Sequence, residues 1–181
     1  MNIAGFLQTV ESSGLAEWLR TSLYAFPLIE SVHVIGLTTV FGTAAIIDLR
    51  LLGLASARRP FALLASETMK WTWAAFALTA TTGALMFVTN AHVYYENLQF
   101  RLKMAALALA GLNVLIFNLT AARTIHRWSN DTAAPPVGKL VGIVSLVLWI
   151  GVICLGRWVG FTKTTDLTPP DSDILNKLDR F

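Results

Sequence analysis

The residues of this chain best suited to do chemistry are ionisable side chains inside long apolar stretches. Glu30 and His33 lie three positions apart in the run FPLIESVHVIG, so in a helix they share one face. Ionisable groups within apolar helices are costly and mark functional sites by default. An imidazole in that setting binds a metal or haem, or relays a proton. We therefore take His33, with Glu30 beside it, as the centre of a candidate site that faces other helices.

More polar residues fall near the same predicted end of the molecule. The loop AHVYYENLQF carries His92 and two tyrosines, and the next segment begins with Arg101 and Lys103. Arg157 closes the last apolar run from the same side. The opposite end offers Asp48 and Arg50, which we interpret as an interfacial charge pair.

One chemistry that this set supports is a b-type haem. A low-spin haem needs two axial imidazoles and cations for its propionates. His33 and His92 are the histidine pair at similar predicted depth, and Arg101, Lys103 and Arg157 supply the cations. Such a site would exchange electrons with a periplasmic redox protein or with quinone.

Three alternatives stay open beside haem. Copper(I) prefers soft ligands, and His33, Met86, Met104 and Cys154 form such a set. This alternative describes a copper-handling or copper-transport protein. The basic cluster and the tyrosines would also suit a quinone headgroup. Finally, the chain could be a cofactor-free accessory or anchor subunit of a membrane complex.

The composition places these residues in a membrane protein. Only 14% of the 181 residues are charged and 55% are hydrophobic, whereas soluble domains carry about 25% charged residues. Because about 20 apolar residues cross a bilayer, the sequence predicts an all-α, integral membrane four-helix bundle in a single domain, 1–181. The predicted spans are 24–54, 71–90, 100–122 and 137–161, preceded by an amphipathic interfacial helix at 1–20 and followed by an exposed tail at 162–181.

Small residues indicate where the helices should touch, because close packing in lipid depends on them. The last span contains the pairs Gly138 and Gly142, and Gly156 and Gly160, each four residues apart. We expect the second pair to receive a neighbouring backbone.

The distribution of Lys and Arg predicts the orientation. Compact basic loops around Arg58 and Arg59, and from Arg123 to Lys139, indicate the cytoplasmic side. Both termini are then expected in the periplasm of a bacterial inner membrane.

Several other functions find no support in the residues. The single cysteine, Cys154, excludes an internal disulfide and a CxxC site. No basic stripe suits nucleic acid, so the lipid bilayer and a redox partner or complex subunit are the expected partners. No nucleophile–base–acid set or phosphate loop is present, and whether the protein is an enzyme stays open.

Three segments carry a resemblance to a known family: FPLIESVHVIGLTTVFGTAAIIDLRLLG, FRLKMAALALAGLNVLIFN and SLVLWIGVICLGRWVGF. In this order they resemble an uncharacterised family of small bacterial inner-membrane proteins, known as a domain of unknown function. The resemblance implies the four-helix topology and no established activity. The segment from His33 to Gly42 is also similar to helices of copper-resistance membrane proteins and b-type cytochromes. Di-haem cytochromes place histidine pairs at both membrane faces, and this chain lacks the inner pair.

Overall fold

The computed structural model describes residues 2–55, 59–120 and 134–162, and the regular structure within them is helical throughout. Its seven helices are, in chain order, α1 (Ile3–Glu11), α2 (Gly14–Thr21), α3 (Ala25–Leu52), α4 (Phe61–Thr89), α5 (Ala91–Glu96), α6 (Leu98–Leu119) and α7 (Pro136–Thr162). The predicted all-α fold is confirmed. The predicted tail beyond residue 162 and the basic residues between 121 and 133 lie outside the described residues.

Four of these helices are long and apolar enough to cross a membrane: α3, α4, α6 and α7. Their most apolar windows have mean hydropathies between 1.3 and 2.3. Large apolar side chains on their outer faces, such as Ile35, Leu109 and Val147, are exposed, which suits contact with lipid rather than water. The chain is a multi-pass membrane protein.

The start of α4 differs from the prediction. We expected the second span to begin at Trp71, since tryptophans favour membrane interfaces. Instead, α4 begins at Phe61 directly after Pro60, and Trp71 and Trp73 lie well inside it, exposed on its surface. At 1.5 Å per residue, 29 residues extend about 44 Å, longer than a hydrocarbon core of about 30 Å. The two tryptophans therefore mark an interfacial level along the helix rather than its start.

The long helices leave a groove between α4 and α6. α3 packs against both α4 and α7, and α6 packs against α7. Asn113 on α6 donates a buried hydrogen bond of 3.0 Å to the Val141 carbonyl on α7. Across the groove, α4 and α6 meet through two aromatic pairs, Phe61 with Phe117 and Phe87 with Phe100. In the described chain their backbones are not closely packed. The groove is therefore floored by α3 and α7.

The predicted interfacial segment is two helices, α1 and α2, joined at Ser13, whose hydroxyl caps α2. They dock where α4 meets α5. Arg20 donates to the Thr89 carbonyl at the end of α4 (2.8 Å), and the Glu11 carboxylate accepts from the backbone N–H of His92 (2.8 Å). These contacts place charges where the helix dipoles favour them, a cation at a helix C-terminus and an anion at an N-terminus.

The glycines of α7 pack differently from the prediction. A Cβ at Gly142 would lie 3.1 Å from the Asp48 carbonyl of α3, so two backbones meet here. At Gly160 nothing lies within 4 Å, and at Gly156 the nearest atoms belong to the Lys103 side chain at 3.8 Å. The close helix contact is at the first glycine pair, and the expectation for the second is wrong.

Candidate ligand groove between α4 and α6

Two adjoining cavities occupy the groove. The first, which we call the His33 cavity, has a volume of about 410 Å³, and the second, the Asp48 cavity, about 380 Å³. Both volumes lie in the range of small-molecule sites. The two cavities share four lining residues, Val40, Phe76, Leu107 and Trp149. An apolar constriction therefore separates two polar centres at different depths.

The His33 imidazole is held by α4. Its Nδ1 lies 3.0 Å from Thr82 Oγ1, and the Thr82 hydroxyl donates to the Leu78 carbonyl at 2.8 Å. Because that hydroxyl proton is already used, the Thr82 oxygen accepts the Nδ1–H of His33. In the neutral ring Nε2 then carries the lone pair. An oriented imidazole with an open Nε2 can accept a proton or bind a metal.

Gly83 makes room for this ring. A Cβ at Gly83 would lie 3.1 Å from His33 Cε1 and 3.5 Å from Nδ1. The glycine therefore lets the imidazole lie flat against α4, within reach of Thr82. Together, Thr82 and Gly83 fix the position of His33 in the cavity.

A lysine and a threonine line the same cavity as His33. Lys103 on α6 is half-buried and lines it, and Thr79 on α4 lines it as well. Thr79 Oγ1 is buried, has no hydrogen-bond partner in the described parts of the chain, and lies against α3, where a Cβ at Gly36 would be 2.5 Å from it. The hydrogen-bond donor that a ligand in this cavity would meet is therefore Lys103.

Aromatic rings close the α5 end of the His33 cavity. Phe87 and Phe100 stack with centroids 5.6 Å apart, and Tyr94 of α5 lies 5.3 Å from Phe100. Burial, together with the negative charge of Glu30, raises the pKa of Tyr94 to about 12. Tyr94 therefore stays neutral at physiological pH and acts as a packing and hydrogen-bonding group rather than an anion.

The Asp48 cavity has the opposite chemistry. Asp48 on α3 is only 5% exposed, and its Oδ2 has no hydrogen-bond partner among the described residues. The Ser145 hydroxyl of α7 interacts with the carboxyl group. Apart from Thr72 and Asn113, the remaining described wall is apolar and aromatic, with Phe76, Phe117 and Trp149 among its residues.

A family model matches residues 10–162, which include α3, α4, α6 and α7. The chain belongs to the Family of unknown function (DUF6644). The predicted resemblance to an uncharacterised membrane family is thereby confirmed. Similarity to copper-resistance proteins or cytochromes is not shown by this match. No curated protein and no solved structure matches the chain.

In this DUF6644 member the residues predicted for haem do not converge. His33 and Lys103 line one cavity, but His92 is exposed on α5, where its Nε2 lies 3.3 Å from Glu96 Oε1. Arg101 is exposed too. Arg157 is exposed, with its guanidinium 4.9 Å from the Phe161 ring centroid.

Glu30 does not face the bundle as predicted, because it is exposed and lines neither cavity. A spacing of three residues turns a helix by about 300° rather than 360°. His33 therefore reaches the groove while Glu30 lies outside it.

The predicted copper set is also only partly assembled. Met104 lines the His33 cavity. Met86 is half-buried outside its lining, and Cys154 is exposed on α7. Within the described ranges no three His, Cys, Asp or Glu side chains come close enough to hold a metal ion.

Sequence reasoning missed the second centre. The interpretation of Asp48 and Arg50 as a charge pair is wrong, because residues two apart point to different sides of a helix. Arg50 Nε instead donates to the Arg59 carbonyl at 2.9 Å, and Asp48 faces α7. The available signal was a carboxylate inside an apolar run. Thr79 and Thr82 were a weaker signal of a site, since threonine is common in membrane helices.

Proposed function

We propose that this protein binds the headgroup of a membrane quinone in the His33 cavity. The observation that carries this proposal is the pair of polar side chains that line one apolar cavity at the side of a membrane bundle: the Lys103 amine and the oriented His33 ring. A quinone offers two carbonyl oxygens on a flat apolar ring. One of its oxygens complements the Lys103 donor, and its ring complements the aromatic wall.

The groove also supports a route for the ligand. The α4 and α6 backbones are not closely packed in the described chain, so the cavity borders the lipid between two aromatic pairs. The isoprenoid tail of a quinone would extend from the cavity into the acyl chains, as a lipid-soluble ligand requires.

The reduced ligand suits His33 as well. A quinol carries hydroxyl groups, and the open Nε2 of His33 would accept one of those protons because Nδ1–H is held by Thr82. We assign His33 the role of proton acceptor or donor to the headgroup, and Lys103 the role of binding the other oxygen.

A metal centre is the second candidate occupant of this cavity. It is favoured by one observation: His33 and Met104 line the same cavity. An imidazole together with a thioether suits copper(I), or the axial positions of a haem. Haem held by His33 and His92 stays a prediction. The visible spectrum and metal content of the purified protein distinguish these centres from quinone. A Soret band or stoichiometric copper would replace the quinone proposal.

The direct test is equilibrium binding of a decyl-substituted benzoquinone to detergent-purified protein, followed by tryptophan quenching. Lys103→Met should weaken binding about tenfold or more, since hydrogen bonds from charged groups contribute about 1.5–3 kcal/mol. His33→Ala should weaken it by up to about tenfold, as for a neutral hydrogen bond. Thr82→Val should have a smaller effect of the same sign.

Thr81→Val is the matched control, because Thr81 is exposed on the same helix and its hydroxyl donates to the Ala77 carbonyl within it. The proposal fails if the wild type does not bind the quinone in a saturable manner. It also fails if Thr81→Val weakens binding as much as Lys103→Met.

We further propose that the protein lies in a bacterial inner membrane with both termini in the periplasm. Its partner would be a periplasmic or membrane-bound redox protein. The orientation follows from the basic loops at Arg59 and Lys139. A reporter active only in the cytoplasm should work when fused in either loop and fail at the C-terminus. The reverse pattern would place the His33 cavity near the cytoplasmic face.

A further inference from the structure

The Asp48 cavity contains a buried carboxylate oxygen that no described residue satisfies. Asp48 is 5% exposed, and its Oδ2 has no hydrogen-bond partner in the described chain. The Ser145 hydroxyl interacts with the carboxyl group, and one N–H of the Asn113 amide, which lines the same cavity, donates to the Val141 carbonyl. The carboxyl group with this unsatisfied oxygen belongs to a residue in the wall of a cavity of about 380 Å³.

No protein cation among the described residues balances this group. The described lining of the Asp48 cavity contains no Lys, Arg or His. The ion pairs found in the described ranges involve neither Asp48 nor its neighbours. A carboxylate in an apolar environment is strongly unfavourable unless it is paired. The group is stabilised either by a proton or by a partner that brings hydrogen-bond donors, and the ionised form is served best by a partner with a positive charge.

The other walls of the cavity favour a cation with an apolar body. Trp73, Phe76, Phe117 and Trp149 all line it. The faces of aromatic rings attract cations, most strongly where water is excluded. Apart from Asp48, Ser145, Asn113 and Thr72, the described lining is apolar. A small hydrated metal ion would gain little from such walls, whereas an alkyl or aryl group would be buried by them.

We propose that the Asp48 cavity is a second binding site, specific for organic ammonium ions with an apolar tail. The ammonium donates a hydrogen bond to the Asp48 carboxylate, and the tail lies among the aromatic side chains. The ligand enters from the bilayer between α4 and α6, where their backbones are not closely packed. This site is separate from the quinone site and does not depend on it, because Asp48 does not line the His33 cavity.

The test uses 4-phenylbutylammonium as the probe and 4-phenylbutan-1-ol as its uncharged counterpart of similar size. Binding of each to the full-length protein in nanodiscs is measured by calorimetry. The wild type should bind the ammonium at least tenfold more tightly than the alcohol. Asp48→Asn keeps the side-chain shape and removes the charge, and it should reduce ammonium affinity about tenfold or more while leaving alcohol affinity unchanged. His33→Ala should change neither affinity, which separates this result from a failure of the quinone proposal.

Equal affinity of the wild type for ammonium and alcohol would overturn the proposal, and this comparison needs no variant. So would an Asp48→Asn protein, monodisperse and with the wild-type melting temperature, that binds the ammonium as tightly as the wild type. Asp48→Glu keeps the charge and should retain more than half of the discrimination between the two probes. Loss of this discrimination in a folded Asp48→Glu protein would likewise contradict the assignment.

Discussion

The two cavities of the groove share a constriction, but basic side chains line one of them and an acidic side chain lines the other. The His33 cavity is lined by a lysine and a histidine, whereas the Asp48 cavity is lined by an aspartate. In the first, the key side chain is oriented by a protein partner, since Thr82 holds His33. In the second, the key oxygen is left without one among the described residues. In our two proposals the same four helices therefore form one site for a hydrogen-bond acceptor and one for a cation.

This difference shows how a small bundle creates two sites without additional structure. α3 supplies the central residue of each cavity, with His33 and Asp48 fifteen positions apart, or about 22 Å at 1.5 Å per residue. Helices α4 and α7 then supply different neighbours at each level. The constriction at Val40 and Trp149 keeps the two environments apart.

The largest expected effect comes from removing that constriction. Trp149→Ala should lower the free energy of unfolding by about 3–5 kcal/mol, the usual cost of truncating a buried tryptophan, because Trp149 is 9% exposed and lies in the α3–α7 core. Trp158→Ala, on the same helix but 59% exposed, is the control and should change stability much less. Unfolding by a denaturing detergent measures both. Similar losses in the two variants would contradict the burial of Trp149 in the core between α3 and α7.

A smaller effect should appear at the Asp48 level. Gly142→Leu forces a side chain against the α3 backbone, where even a Cβ would lie 3.1 Å from the Asp48 carbonyl. Overpacking of this kind costs about 1–3 kcal/mol. Gly160→Leu has nothing within 4 Å of its Cβ position and should be nearly neutral. Equal melting temperatures for the two variants would contradict the close α3–α7 contact.

The smallest effect concerns the His33 level. Gly83→Ala places a methyl group 3.1 Å from His33 Cε1 and should displace the ring by a few tenths of an ångström. Quinone affinity should fall a few-fold, whereas Gly111→Ala, with open space at its Cβ, should leave it unchanged. Because alanine favours a helix over glycine by about 1 kcal/mol, the Gly83→Ala protein should remain folded. If this protein binds quinone normally, the His33 ring does not need the space at Gly83.

The fold was accessible from the sequence because membrane helices are read from apolar length. Four apolar runs and few charges leave little alternative in a bilayer. The start of α4 was missed because tryptophans mark a depth in the membrane rather than a helix end. The small-residue pattern likewise indicated that α7 packs closely, but not which glycine pair does so.

The candidate site was only half predictable. His33 and Lys103 were found because ionisable groups in apolar runs are unusual, and the structure brings both to one cavity. The same signal was carried by Glu30, His92, Arg101 and Arg157, yet these four are exposed, unlike His33 and Lys103. Exposure depends on how each helix is rotated about its axis, which the sequence alone does not reveal. Asp48 was set aside because Arg50 is close in sequence, although the two side chains point apart on the helix.

The most direct test of two sites of opposite chemistry is one binding matrix. The decyl-substituted benzoquinone and 4-phenylbutylammonium are each titrated into wild-type, Lys103→Met and Asp48→Asn protein in the same nanodiscs. We predict that Lys103→Met weakens only the quinone, about tenfold or more, and that Asp48→Asn weakens only the ammonium by a similar factor. Equal loss of both ligands in either variant, or unchanged binding in both variants, would contradict the account.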